Sequence, residues 1–288
     1  MLSTILVTGA TGNIGLDVYN QLNIMGLSPV AAVRNPDKAR EILGTEAQLL
    51  PFDFKNPATY APALKGIKKL FLMRPPDIAD VKTYVRPVIQ AAKDAGVEHV
   101  VFLSLLGAEN NPIVPHYTIE KDLMASGMAW TFLRASFFMQ NLSTTHLAEI
   151  RDEDSLMMAA GHGKTSFIDG RDIAAVAAMA LTESGHENKG YPLTGSEALD
   201  YFTVADMLTE VLGRKITYCN PSIIVFARQM KAQGNPWAYI LVTSALYTTA
   251  RLGMAAKITN ETERLLGRPP IQMRRYIEDY KQTWMPKI

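Results

Sequence analysis

Three groups of residues in this 288-residue chain have types and spacings that could do chemistry. The first is a glycine turn, Gly9, Gly12 and Gly15, between the apolar run Ile5–Val7 and an apolar-periodic segment through Ile14, Leu16, Val18 and Leu22. Strand, glycine turn and helix together form the context in which backbone N–H groups cradle a dinucleotide pyrophosphate at a helix N-terminus. Thr11, Asn13 and Ile14 complete the expected cofactor turn. The second group closes the next three apolar runs. Arg34 stands where an acidic residue would grip the ribose of NAD. An arginine there pairs instead with the 2′-phosphate, so NADP(H) is expected ahead of NAD(H), with Lys38 as a second cation. The competing reading of Arg34 is a solvated strand end. Asp53 has two readings of equal weight, acceptor for the adenine amino group with Phe54 against the ring, or cap of the following helix. Met73 closes the fourth run, Arg74 follows it, and both are expected at the cofactor.

The third group lies between residues 104 and 141. Ser104 closes the fifth apolar run, facing substrate and nicotinamide or serving as an ordinary polar strand end. Tyr117 and Lys121 stand four apart on an expected helix and so share a face. An ammonium beside a phenol lowers its pKa and makes a workable acid. His116 and Glu120 are four apart on the neighbouring face. Phe137, Phe138 and Asn141 follow the sixth run and could line a substrate site, although apolar core suits either phenylalanine alone.

These residues need elements to hold them. Near-continuous apolar runs at Pro29–Val33, Ala47–Phe52, Lys69–Met73, His99–Leu103 and Trp130–Leu133 follow the first strand. Helical segments are expected at Asp37–Leu43, Ala58–Leu64, Ile78–Asp94 and Tyr117–Ala125. Unbroken apolar strands alternating with helices predict a doubly wound, Rossmann-type α/β fold with a parallel sheet covered on both faces. The cofactor domain is expected over residues 1–155, with strands returning near 168–195, and a mainly helical substrate or cap region over 156–288, roofing the carboxyl edge of the sheet. Residues 137–150, still within the expected cofactor domain, should begin a helix; further on, Asp172 should cap the helix Ile173–Leu181, and His162-Gly163-Lys164 reads as a turn. The apolar stretch 237–252 reads as a buried or cap helix rather than a membrane span, since it holds several hydroxyl residues and ends at Arg251.

A net charge of +1 gives no electrostatic footprint for nucleic acid or an anionic membrane, and neither is expected as a partner. One cysteine, Cys219, forbids an internal disulfide and fits a reducing, cytoplasmic compartment. The N-terminus lacks the basic region of a signal peptide. No metal site is expected.

The stretches VTGATGNIG, AAVRNPDKA, HYTIEKDLMASGMAWTFLRASFFMQN and AAGHGKTSFIDGRDIAAVAAMAL, among others spanning most of residues 4–220, resemble the NmrA-like family of atypical short-chain dehydrogenase/reductases. The resemblance implies a Rossmann-type fold, bound NADP(H) and a cap shaping a small apolar pocket. It leans towards bacterial NADPH-dependent quinone reductases and triphenylmethane-dye reductases. It also re-registers the third group. In relatives that use a catalytic lysine, that lysine lies ten residues before the serine of the Ser-Gly step, and counting back from Ser126 gives His116. Tyr117 and Lys121 thus mimic the acid pair out of register, and His116 becomes a residue that orients substrate, donates a proton or serves structure alone. The implied reaction is direct hydride transfer, without metal or flavin, to a quinone-like or other electrophilic small molecule. The alternatives are an inactive NADP(H) sensor acting on a regulatory protein partner, or a biosynthetic reductase or epimerase-like enzyme.

Overall fold

The computed structural model describes residues 4–286. In chain order the strands are β1 (Ile5–Thr8), β2 (Val30–Val33), β3 (Gln48–Pro51), β4 (Lys69–Leu72), β5 (His99–Leu105), β6 (Ala129–Ala135), β7 (Phe137–Phe138), β8 (Ser155–Leu156), β9 (Thr165–Ile168), β10 (Lys189–Leu193), β11 (Ala198–Leu199) and β12 (Thr217–Tyr218). The helices are α1 (Asn13–Ile24), α2 (Pro36–Leu43), α3 (Tyr60–Leu64), α4 (Val81–Tyr84), α5 (Arg86–Asp94), α6 (Pro115–Ser126), α7 (Leu147–Asp152), α8 (Gly170–Thr182), α9 (Tyr201–Leu212), α10 (Ile223–Ala232), α11 (Trp237–Arg251), α12 (Glu261–Leu266) and α13 (Met273–Tyr280). The chain divides into two units. The first runs up to Ala135 and includes Gly170–Leu193, and the second comprises Ser136–Asp169 and the chain from Thr194 onward.

The first unit is built on a seven-stranded sheet in the order β10-β6-β5-β4-β1-β2-β3. Every pairing in it is parallel. All of β1 and β2 is buried, as unbroken apolar strands require when helices cover both faces. One face carries a core in which Leu6, Leu70 and Phe102 of the sheet meet Leu64 of α3, Val88 of α5 and Ile119 of α6. On the other face α8 packs beside α1 and against β4, β5 and β6. The order reverses between β1 and β4, so their carboxyl ends open the crevice where such sheets bind ligands.

Three expectations are corrected here. The single helix over Ile78–Asp94 is two, α4 and α5, because Pro87 in the first turn of α5 has no N–H to continue the ladder from α4. The first unit ends at Ala135 rather than near 155, and then recruits α8 and β10 from further along the chain. Asp172 does not cap α8 from outside. It lies inside the first turn, fully buried, where a carboxylate complements the helix dipole.

The second unit holds a three-stranded sheet, β11-β9-β7, and the pair β12-β8. Residues 137–150 do not start as a helix. Phe137 and Phe138 pair with Phe167 and Ile168, a 3₁₀ turn follows at Met139–Asn141, and α7 begins only at Leu147. Two successive aromatic residues suit a strand, where they pack across the pairing. The unit's core gathers Phe167, Tyr201, Tyr276 and Trp284. The stretch 237–252 is α11, whose inner residues Ile240, Tyr247 and Ala250 are buried while Leu241 and Val242 are exposed. Of the two expected readings, a buried helix and a cap helix, the half-exposed α11 departs from the first. Among the described residues, no helix is long and apolar enough to cross a membrane.

The fit of α1 against β1 rests on Gly15, where a methyl group would collide with the Gly9 carbonyl. Both partners are backbone, so neither yields cheaply. Gly15→Ala is expected to destabilise the fold by about 1–3 kcal/mol, read as a lower urea midpoint. An unchanged midpoint would refute this packing.

Candidate active site

The carboxyl ends of β1, β2, β3 and β4 surround a cleft of about 340 Å³. Gly9, Thr11 and Gly12 form one wall, Arg34, Asp53, Phe54 and Lys55 the far side, and Met73 with Pro75–Ile78 the opposing rim. Thr8 ties the two central strands at the floor, with its hydroxyl donating to the Phe71 carbonyl at 3.0 Å and accepting from the Met73 N–H at 2.8 Å.

The three glycines have different reasons. Gly9 has φ +67°, which favours glycine, and the Met73 side chain lies where its Cβ would go. Gly15 is fixed by the collision described above. Gly12 is required by nothing in the chain itself. Its backbone is extended, at φ −100° and ψ 172°, and a Cβ there would meet no atom closer than 3.4 Å. The space it leaves opens into the cleft. Gly12 is also the N-cap of α1 and supplies no side-chain cap, unlike Asn35, Asp200 and Ser222 before α2, α9 and α10. A helix N-terminus that no side chain caps, behind a glycine that packing does not demand, fits the phosphates of a dinucleotide.

At the other end of the cleft Arg34 is exposed. Asp77 accepts a hydrogen bond from the Lys55 ammonium at 2.7 Å, and this bond, together with the Lys55 and Arg34 charges, holds its carboxyl below the usual range. The nearby acid is thus already engaged by Lys55, leaving Arg34 suited to an anion. Lys38 is exposed and lies outside the cleft lining. Asp53 lines the cleft, where its carboxylate accepts the Lys55 N–H. The cap reading of Asp53 is corrected, since Asn56 caps the next turn by accepting from the Ala58 N–H. Phe54 packs edge-on against Phe52 at 5.1 Å. Asn13 opens α1, and Ile14 is buried in the core. Arg74 does not extend into the cleft. Its Nη1 fastens the following loop by donating to the carbonyls of Pro75, Pro76 and Ile78.

Beside Arg74 lies His116, in the first turn of α6, its ring tilted against Phe102 at 5.9 Å. Burial, helped by the Arg74 charge, pushes its pKa down to about 3. The ring is therefore neutral near pH 7. Its Nδ1 is buried without a hydrogen-bond partner. Glu120, one turn on, is buried and accepts from the Ser104 hydroxyl at 2.6 Å and from Arg134 at 3.0 and 2.7 Å. Glu109 adds a further ion pair to Arg134 at 3.4 Å. Burial works against the Arg134 charge, but the bonds to Glu120 and the charge of Glu109 outweigh it and hold its pKa above the ordinary value. Ser104 is thus bound to a carboxylate and 3% exposed. Tyr117 and Lys121 do not form an acid pair in the interior. The Lys121 ammonium lies over the Tyr117 ring, 5.4 Å from its centroid, on the outer side of the helix. Phe137, Phe138 and Asn141 fall in the second unit, on β7 and its turn.

Sequence reasoning missed Lys55, Asp77, Arg134 and Glu109. Arg134 had a signal, because a glutamate on the buried face of an expected helix needs a cation, and an arginine closes the sixth strand.

A histidine held neutral by the fold makes stability pH-dependent with a definite sign. Below its unfolded value of 6.5 the unfolded chain takes up a proton that the folded chain refuses, down to about pH 3. Stability therefore falls with pH across that window. His99, buried and pushed down to about 4, adds in the same direction. Urea unfolding at pH 7 and pH 5 should show His116→Gln losing about 1–2 kcal/mol less than wild type over the interval. Equal losses would mean that His116 is not held neutral.

The chain is similar over most of its length to known proteins. The chain is 37% identical over 271 residues to an NAD(P)H azoreductase from Xenophilus azovorans, covering 92% of this chain and 93% of the relative. It is 35% identical over 237 residues to quinone oxidoreductase 2 from Escherichia coli, covering 81% and 82%. Among solved structures, the E. coli NADPH-dependent quinone oxidoreductase in complex with NADPH superposes with a TM-score of 0.85 at 30% identity, covering 96% of this chain and 99% of the other. The Citrobacter sp. triphenylmethane reductase complexed with NADP(H) superposes with a TM-score of 0.82 at 27% identity, covering 96% and 99%. A model of the NmrA-like family matches residues 1–249. The chain therefore belongs to the NmrA-like family.

Proposed function

We propose that this protein is an NADPH-dependent oxidoreductase that passes hydride directly to a quinone-like or other electrophilic small molecule. The observation that carries the reading is Gly12, a glycine the fold does not need, facing a cleft at the point where the strand order reverses. Its relatives' names, quinone oxidoreductase and azoreductase, point to electron-poor acceptors.

In this reading the Gly9–Gly12 turn and the N-terminus of α1 hold the pyrophosphate, and Arg34 takes the 2′-phosphate. Asp53 and Phe54 flank the adenine. Bound NADPH supplies a hydride from its nicotinamide C4. The chain's part is to position that carbon against the acceptor, which contributes most where the acceptor is already electrophilic. His116 acts as a neutral imidazole that orients the acceptor through a ring N–H, not as an imidazolium acid. Glu120, Ser104 and Arg134 hold α6 and the ends of β5 and β6 together beneath it. The Tyr117–Lys121 pair has no part in proton transfer. Phe137, Phe138 and Asn141 are the proposed substrate contacts of the second unit.

Gly12→Ala should leave the melting temperature near wild type yet weaken NADPH binding at least tenfold, because the added methyl group occupies phosphate space. A variant that binds NADPH as wild type would remove the cofactor from this cleft. Arg34→Ala should weaken NADPH by about ten- to a hundredfold, the range of a charge-assisted bond, and NADH far less. Equal weakening of both would overturn the 2′-phosphate assignment. NADPH oxidation across quinones, azo dyes, triphenylmethane dyes and enones tests the reaction itself. Tight NADPH binding without turnover on any of them would favour the sensor reading instead.

A further inference from the structure

The α10–α11 hairpin of the second unit presents a face that the redox reading does not use. Helices in water normally turn their polar side outward. α11 buries Ile240, Tyr247 and Ala250 on one side, yet its outer stripe is the exposed set Ala238, Leu241, Val242 and Ala245, in which 238–241 and 242–245 are three apart and 238–242 and 241–245 four apart, with Leu252 exposed just past the helix end. Leu241 is 67% exposed, Val242 60% and Leu252 68%. Ile224 and Val225 of α10 are exposed as well, and Trp237 and Tyr239 stand exposed at the start of α11.

The charge on this segment is one-sided. Residues 221–260 contain Arg228, Lys231, Arg251 and Lys257 and no aspartate or glutamate, in a chain whose net charge is only +1. All four cations are exposed. The Lys231 ammonium sits over the Trp237 ring, 5.5 Å from its centroid. Past the carboxyl end of α11 lies a shallow depression of about 650 Å³, lined by His162, Lys164, Arg251 and Leu252 and, among the described residues, by no carboxylate.

We propose that the α10–α11 hairpin is a docking surface for anionic lipid bilayers, lying in the headgroup region without crossing it. An outer apolar stripe, interfacial tryptophan and tyrosine, and exposed lysine and arginine without acids are what an in-plane amphipathic helix uses. Two other occupants fit less well. A second copy docked on this face through a two-fold axis would bring four cations onto four. A protein partner would normally exchange about one hydrogen bond per 100–200 Å², and the side chains of the outer stripe offer none. Lipid tails need none, and anionic headgroups answer the cations. The proposal does not rest on the redox reading.

Sedimentation of the whole protein with vesicles, in the absence of NADPH and acceptor, provides the test. Phosphatidylglycerol vesicles should carry the protein down at low salt and release it at high salt, and phosphatidylcholine vesicles should not carry it. Arg228→Glu/Lys231→Glu should weaken partitioning by at least fivefold per cation lost, since each is worth about fivefold near an anionic surface. Leu241→Asp/Val242→Asp should abolish it, with the melting temperature confirming the fold of both variants. Tryptophan emission should shift to the blue on phosphatidylglycerol, and Trp237→Phe should remove that shift, because Trp284 is already buried and Trp130 stacks on Phe132 within the first unit, away from the hairpin's sequence. Each of four results would overturn the proposal: no partitioning at low salt, partitioning indifferent to Leu241→Asp/Val242→Asp, a solution dimer that this variant splits, or a raised KM for a water-soluble acceptor in that variant without vesicles.

Discussion

At Gly15 the first turn of α1 lies so close against the Gly9 carbonyl that a single methyl group does not fit between them. The rest of the first unit is arranged around that contact. It sets where α1 leaves the sheet, and so where its uncapped N–H groups point. It leaves β1 free to pair on both sides, with β2 and β4, which places the reversal of strand order directly beneath the turn. The cleft follows as geometry. The ends of four neighbouring strands converge on the space that the turn keeps open, and Thr8 fastens the two central strands at its floor.

The polar interior has a second organising centre. A buried carboxylate with one partner removed is an uncompensated charge, costly in a low-dielectric interior. Glu120 avoids that cost with a two-pronged bond from Arg134 and a third from Ser104. Because Ser104 and Arg134 are cross-strand partners at the ends of β5 and β6, the network fixes α6 to the sheet at the level where His116 sits. The histidine's neutrality follows from the same placement, since it lies on the buried side of that helix beside a fixed guanidinium.

Much of this was legible in the chain. The apolar runs of β2, β4, β5 and β6 were recognisable because these strands are largely buried, that of β3 stayed legible although this edge strand is only half-buried, and the glycine spacing marked the turn. What sequence reasoning misjudged had a local physical cause. Pro87 divides a helix whose apolar periodicity continues through the break. Phe137 and Phe138 have strand partners thirty residues away, at Phe167 and Ile168, which no local pattern reveals. Ser104 kept two readings, a hydroxyl facing a ligand or a polar strand end, because its acceptor, Glu120, comes from another element. By spacing alone the lysine beneath Tyr117 read as an activator, a reading that the family register already withdrew, because spacing tells which side chains share a face, not whether that face turns inward.

The seven-stranded sheet ends at β3 on one side and β10 on the other. An unprotected edge exposes a row of unpaired backbone groups, a template on which another chain can polymerise. Both edges here carry a proline, Pro51 at the end of β3 and Pro192 within β10. Proline has no N–H to offer a further strand. Lys189 adds an exposed charge at the start of β10. The two terminal strands therefore act as stops, and the sheet that builds the cleft is also guarded against edge-to-edge aggregation.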